Sequence, residues 1–295
     1  MIDKIIKIHH SGLILLLLGF LVFGCTTIQP VIKDKQPVEP PIFSNERFDR
    51  VLQQFVDERG SVNYSALQQD LKDLEEYYYL ITTYSPDSHP DLFPSENHKL
   101  AYWINAYNAA AIKTVMTYYP IESVLDVEQP VIFFFLSNKS GFFFFQRQTF
   151  GNKTTSLYYL ENQIIRKRFG DPRIHFAVNC ASIGCPRLPR QSFSGETLDQ
   201  QLDIETRFFL AEERNYKIDH DEKIIYLSSI FDWYEKDFTT WYTTQYPDRE
   251  SSLLSYIELF LTPEKAEELK AIANSYALRF MLYDWRLNDQ KSLLQ

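Results

Sequence analysis

The sequence predicts an α+β domain, helix-rich and built around a mainly antiparallel sheet. Three observations carry this. Apolar residues recur at helical spacing over long stretches, while strand-like runs are short and set in hairpins. No internal repeat is visible. No linker divides residues 44–295, so that span reads as a single domain. The 295-residue chain is long enough to bury a substantial core. Only nine glycines are present, which argues against a Gly-rich phosphate-binding fold. The formal charge of -9 is spread along the chain without a basic stripe, which argues against a nucleic-acid partner.

Residues 1–24 have the layout of a secretory signal. Lys4 and Lys7 form a basic start, an apolar run spans Leu13 to Phe23, and Gly24-Cys25 ends it. The run is short for a membrane span. The ending Leu21-Val22-Phe23-Gly24-Cys25 resembles the bacterial lipobox. That resemblance implies cleavage before Cys25 and acylation of both its thiol and its new amino group. Several chains anchor stably where one does not, since each buried methylene adds about 0.8 kcal/mol. Thr26 after the lipid cysteine resembles the outer-membrane sorting pattern, facing the periplasm where an outer membrane exists. The expected partner here is the membrane and the expected location the cell envelope. The plain alternative is a signal peptide or anchor with an incidental cysteine. Residues 25–43 carry Pro30, Pro37, Pro40 and Pro41 and read as an extended tether.

In the domain, Asn45 to Glu58 reads as a helix with Phe48, Val51, Leu52 and Phe55 on one face. Ser65 is placed to cap a second helix that carries Leu67, Leu71, Leu74, Tyr78 and Ile81, stopped by Ser85-Pro86. Ser95 caps a third helix over 96–118, apolar nearly all round and therefore central. Asn105 and Asn108 share one face of it. A buried amide without a partner costs about 1–3 kcal/mol, so both are braces or site residues.

Residues 131–150 read as an aromatic hairpin, covered by the core or by a membrane or partner. A helix over 154–169 follows, with Glu161 among its apolar positions. Ile174 to Val178 reads as a short strand running into Asn179 and Cys180, and a turn closes at Cys185-Pro186. Beyond it come a helix over 195–213, a hairpin over 218–227 with its turn at 220–223, and an aromatic helix opened by Ser228 or Ser229. Helices near 250–261 and 263–274 and a last strand over 278–283 complete the domain.

Chemistry concentrates at 171–188. With Cys25 assigned to lipid, Cys180 and Cys185 remain as an even pair in an oxidising compartment. A four-residue gap permits a disulfide. The sharper reading makes Cys180 a nucleophile and His175 its base, oriented by Asn105, Asn108, Glu161 or Asn179. On a regular strand, positions 175 and 180 would face opposite ways. A third reading makes Cys180, Cys185 and His175 zinc ligands, without an obvious fourth. No Walker loop, dinucleotide fingerprint, HExxH or GxSxG is present, and no cofactor or metal is expected.

Four ordered motifs stand out together: Trp103-Ile-Asn-Ala-Tyr-Asn-Ala109, Phe169 through Pro186, Leu227-Ser-Ser-Ile-Phe-Asp-Trp-Tyr234, and Tyr283-Asp-Trp-Arg-Leu-Asn288. They resemble the domain of unknown function 547 family, which includes bacterial secreted proteins and lipoproteins. The resemblance spans roughly residues 60–288 and implies no activity. It directs attention to Asn105, Tyr107, Asn108, Glu161, His175, Cys180, Cys185 and Pro186. A helix packed on a His-bearing sheet is distantly similar to papain and transglutaminase cores, at the level of fold alone.

The function expected from these features is that of a membrane-anchored envelope lipoprotein with a disulfide-stabilised, non-catalytic domain binding an envelope polymer or protein. The alternative is a thiol-dependent hydrolase or transferase that uses Cys180 and His175 on peptide or acyl bonds.

Overall fold

A computed structural model describes residues 26–29, 43–133 and 135–293. The signal segment 1–24, the lipidation candidate Cys25 and most of the expected tether lie outside the described residues. The helical pattern of the N-terminal third forms α1 (Glu46–Phe55), α2 (Lys72–Thr83) and α3 (Glu96–Tyr118). Asn63, rather than Ser65, is the cap ahead of α2. It accepts the Ala66 N–H at the start of a separate turn, Tyr64–Leu67, and α2 begins only at Lys72. Ser95 caps α3 as its sequence predicts, accepting the His98 N–H. Nearly all of α3 is buried, so it forms the axis of the first core, packed against α2 and the helix at 157–169.

Two three-stranded sheets flank the helices. In the first, β1 (Thr26–Thr27) runs parallel to β2 (Gln146–Phe150), which pairs antiparallel with β3 (Lys153–Ser156). Residues 26–29, the start of the expected tether, therefore lie along this sheet, with Ile28 buried. The aromatic hairpin expected at 131–150 does not form. Val131–Phe133 is a 3-10 turn and Gly141–Phe145 a π-helical turn, and only 146–150 is strand. The burial of Phe142 and Phe145 with Phe144 exposed is helical spacing, not the alternation a strand requires. A side chain on Gly141 would collide with the Val127 carbonyl, so the turn packs where only glycine fits.

Ser156 ends β3 and caps the helix over 157–169, a few residues later than expected. Its middle, Leu160–Ile165, is π-helical. The strand expected at 174–178 is also absent. Asp171 accepts the Arg173 N–H, Pro172 sets the first turn, and Pro172–Phe176 is 3-10 helix. Next come α4 (Leu198–Ala211), the hairpin β4 (Tyr216–Asp219) and β5 (Ile224–Leu227), α5 (Ser229–Trp233) and α6 (Glu235–Gln245). The chain ends with α7 (Leu253–Glu258), α8 (Pro263–Ile272) and β6 (Ala277–Phe280), which pairs parallel with β5. These elements bury a second apolar core. No helix among the described residues is long and apolar enough to cross a membrane.

The 171–188 stretch is the seam between the two cores. Ile174 and Ala177 pack in the first, and Phe176 packs in the second. Asn108 holds this seam, since its amide donates to the Ala177 carbonyl at 3.0 Å and accepts the Asn179 N–H at 2.7 Å. Asn105 does the same for the next loop. It donates to the Phe193 carbonyl at 2.8 Å and accepts the Phe193 N–H at 2.9 Å.

Asn108→Ala leaves two buried backbone groups unpaired. At about 1–3 kcal/mol for each such group, urea denaturation should show a stability loss of roughly 2 kcal/mol or more. A loss below about 0.5 kcal/mol, typical of a surface substitution, would show that the brace is dispensable.

Candidate functional site

Beside the seam lies a cavity of about 720 Å³, within the range of small-molecule sites. Its buried wall includes Tyr107, His175 and Cys185, with Glu161, Cys180 and Tyr283 partly exposed beside them. Its rim is aromatic, with Phe144, Tyr158 and Trp233 substantially exposed. Of the residues singled out from sequence, Tyr107, Glu161, His175, Cys180, Cys185 and Pro186 meet in this one cavity. Asn105 and Asn108 do not line it, and their amides are spent on the backbone of the loops that do.

The second core delivers a partner to His175. Phe176 packs on Phe238, with ring centroids 5.7 Å apart, and this brings the preceding residue of α6, Asp237, to His175. His175 Nε2 lies 2.8 Å from Asp237 Oδ2. Arg166 donates to the same carboxylate from Nε at 2.7 Å and from a terminal nitrogen at 3.0 Å. Tyr234 stacks on the imidazole, 3.9 Å between centroids. His175 Nδ1 is buried and has no hydrogen-bond partner among the described residues. Burial dominates the titration of His175 and lowers its pKa despite the neighbouring Asp237. A neutral ring with its proton on Nε2, donated to Asp237, leaves the Nδ1 lone pair uncommitted. Burial also disfavours the Asp237 charge, but hydrogen bonds from His175 and Arg166 outweigh it and hold that carboxyl far below the usual range.

Glu161 sits on the π-helical segment, a distortion that often marks functional positions. It accepts from Tyr234 at 2.5 Å and from Tyr107 at 3.3 Å. Burial, reinforced by Glu161, raises the pKa of both phenols, so both remain donors. Across the cavity, Cys180 and Cys185 are paired at disulfide distance, with Cα atoms 6.3 Å apart. The Cys180 N–H donates to Cys185 Sγ at 2.9 Å. The Tyr283 hydroxyl lies 3.2 Å from Cys180 Sγ, 3.1 Å from Cys185 Sγ and 2.9 Å from Ser182 Oγ. Burial raises the Tyr283 pKa, so it too is a donor.

The loop that carries the cysteines is held by the last motif. Ile183 and Gly184 donate to the carbonyls of Arg286 and Asp284, and Asn288 donates to that of Ala181. Gly184 allows this approach, since a Cβ there would meet the Tyr283 ring at 2.9 Å. Among the described residues, no three His, Cys, Asp or Glu side chains are grouped to hold a metal ion, so the zinc arrangement of His175, Cys180 and Cys185 is not formed.

Sequence reasoning did not single out Asp237, Arg166 or Tyr283 as site residues. Tyr283 lies in a motif it did quote, and so does Tyr234. Asp237 follows Tyr234 by three residues on the next helix, the only sequence signal pointing to it.

Residues 92–210 match the profile of a family described as Protein of unknown function, DUF547. The match supports the resemblance carried by the motifs. It spans α3, the aromatic segment, Glu161, His175 and the cysteine loop, but not Asp237 or Tyr283. No curated protein and no solved structure matches the chain.

The buried neutral imidazole makes stability depend on pH. Its folded pKa is lowered, so its contribution is present above the unfolded value of about 6.5 and is lost as pH falls below it. The urea midpoint should therefore fall as the pH is taken from about 7 down through about 6.5 and below. In His175→Gln this part of the pH dependence should flatten. An unchanged slope would assign the titration to another group.

Proposed function

We propose that this chain is a lipid-anchored cell-envelope protein whose cavity is a thiol-dependent hydrolase or transferase site for acyl or peptide bonds, held latent by the Cys180–Cys185 bridge. The observation that carries the reading is the asymmetry of His175. One ring nitrogen is fixed on Asp237, and the other is buried with its lone pair unspent. A buried polar atom without a partner is costly to keep. An oriented imidazole with one free nitrogen is the arrangement a general base requires.

An external dithiol opens the bridge, giving up two electrons and two protons to the sulfurs and becoming a disulfide itself. The Cys180 thiol passes its proton to His175 Nδ1, and Asp237 stabilises the imidazolium. The thiolate forms a C–S bond to the substrate carbonyl. The C–N or C–O bond then breaks, and its leaving group takes the proton back from His175. Water or a second nucleophile resolves the thioester. Tyr283 is placed to donate to the sulfur anion, and Glu161 with its two phenols provides a polar anchor for the substrate. Anchoring rests on the basic start, apolar run and lipobox-like ending at Cys25.

A second reading has its own observation. Cys180 and Cys185 are paired, which suits a non-catalytic domain that binds an envelope polymer or protein in the cavity. In that case Cys180→Ser with Cys185→Ser removes only a short cross-link, at a cost of about 2 kcal/mol.

Iodoacetamide labelling after mild dithiol treatment separates the two. The catalytic reading expects Cys180 to alkylate faster than Cys185 at neutral pH, and expects His175→Gln to move the reaction to higher pH. It also expects a thioester adduct with an activated acyl ester, absent in Cys180→Ser. Equal reactivity of both thiols with no effect of His175→Gln would leave only the binding role.

A further inference from the structure

We infer that the aromatic rim of the cavity rests on the bilayer that holds the N-terminal anchor, so that the cavity opens at the level of the lipid acyl chains. This rests on the anchored reading above and adds the surface that faces the lipid. The argument starts at β1. Thr26 pairs with Gln146 and Thr27 with Arg147, and the Ile28 N–H donates to the Arg147 carbonyl at 2.8 Å. Cys25 precedes Thr26 by one peptide bond, about 3.8 Å between alpha carbons. The anchoring position is thus tied by covalent geometry to the start of β2, directly after the turn that presents Phe144.

The segment that leads into this strand, and Tyr158 beside it, carry large exposed apolar side chains. Val131 is 86% exposed, Phe135 68%, Tyr158 52% and Phe144 44%. Phe144 faces Tyr158 at 6.2 Å, and both line the cavity. Also on the cavity wall, Trp233 lies 5.7 Å from Trp285, and the Lys139 ammonium sits over both indoles, 4.5 and 4.3 Å from their centroids. Tyrosine, tryptophan and a lysine that can extend toward headgroups are the residue types that favour the membrane interface. An exposed apolar patch of this kind marks a binding surface. An anchor one residue from the domain supplies a high effective concentration of lipid, so a weak contact suffices.

The full chain, reconstituted into phosphatidylcholine vesicles with ordinary or brominated acyl chains, tests this through tryptophan emission. Trp103 is buried, whereas Trp233 is 41% exposed on the rim. Brominated lipid should quench the emission, and Phe135→Ser with Phe144→Ser should abolish the quench while the protein still sediments with the vesicles. Val131→Ser, at a more exposed position, should weaken it without a folding penalty. Protein that does not sediment with vesicles overturns the anchored reading and this inference with it. Protein that sediments but shows equal emission in both lipids leaves the anchor standing and overturns the rim contact alone.

Discussion

The structure depends on one constraint. A stretch of irregular backbone passes between two apolar cores, and its N–H and C=O groups must be satisfied there without a helix or sheet ladder. Side-chain amides meet that demand. Asn108 takes both polar groups of the Ala177–Asn179 corner, and Asn105 takes both of Phe193. Asn179 accepts the Ala181 N–H and donates to the Pro186 carbonyl, closing the cysteine loop on itself. The Asn288 backbone N–H donates to the Ala181 carbonyl from the last motif of the chain. An amide offers a donor and an acceptor in a fixed plane, so it can replace a missing backbone partner on both sides. These bonds set where the cysteines sit.

With the loop held in place, each core supplies one side of the cavity. The first core contributes Tyr107 on α3 and Glu161 on the π-helical segment. The second contributes Asp237 and Tyr234 around His175. Aromatic packing of Phe176 on Phe238 fixes the approach of Asp237, so a hydrophobic contact sets an electrostatic one. Asp237 is shared between Arg166 and His175. The guanidinium already balances the carboxylate, and the imidazole is left neutral in a buried site. In the resting site burial outweighs the pull of Asp237 and Glu161, so the ring stays neutral with its second nitrogen unpartnered among the described residues.

Much of this was legible in the sequence where a single local rule governs. Ser95 capping an apolar run predicts α3 to the residue, and two cysteines with four residues between them in one loop permit the pair that forms. The demand for partners on buried amides leaves Asn105 and Asn108 as braces or site residues, and the structure shows both bonded to loop backbone. Legibility ends where two conformations satisfy the same apolar pattern. Ile174 to Val178 is as apolar as a strand, but an apolar run of that length does not distinguish strand from buried helix. Asp171-Pro172 decides for the 3-10 turn. In 141–145 five residues satisfy a π-helical turn because Gly141 packs where a Cβ cannot, a contact with Val127 that no window around it reveals. Asp237 was out of reach for another reason. It meets His175 from 62 residues away, and only the packing of the second core brings them together.

The division of labour also explains why the cavity sits at the seam. A site built within one core would be lined by side chains chosen for packing, and a polar group there would lack partners. At the junction, partners arrive from both cores: His175 is held from α6, Glu161 by Tyr107 of the first core and Tyr234 beside the second, and the sulfurs by Tyr283. Polar groups so paired are oriented before any ligand arrives, which lowers the cost of binding. The same junction leaves the mouth to the aromatic segment at 131–145, whose turn begins at a glycine and ends on β2. Thr26 and Thr27 pair with that strand and Ile28 donates to it, so the strand that closes the aromatic segment is held on its other side by a few backbone hydrogen bonds.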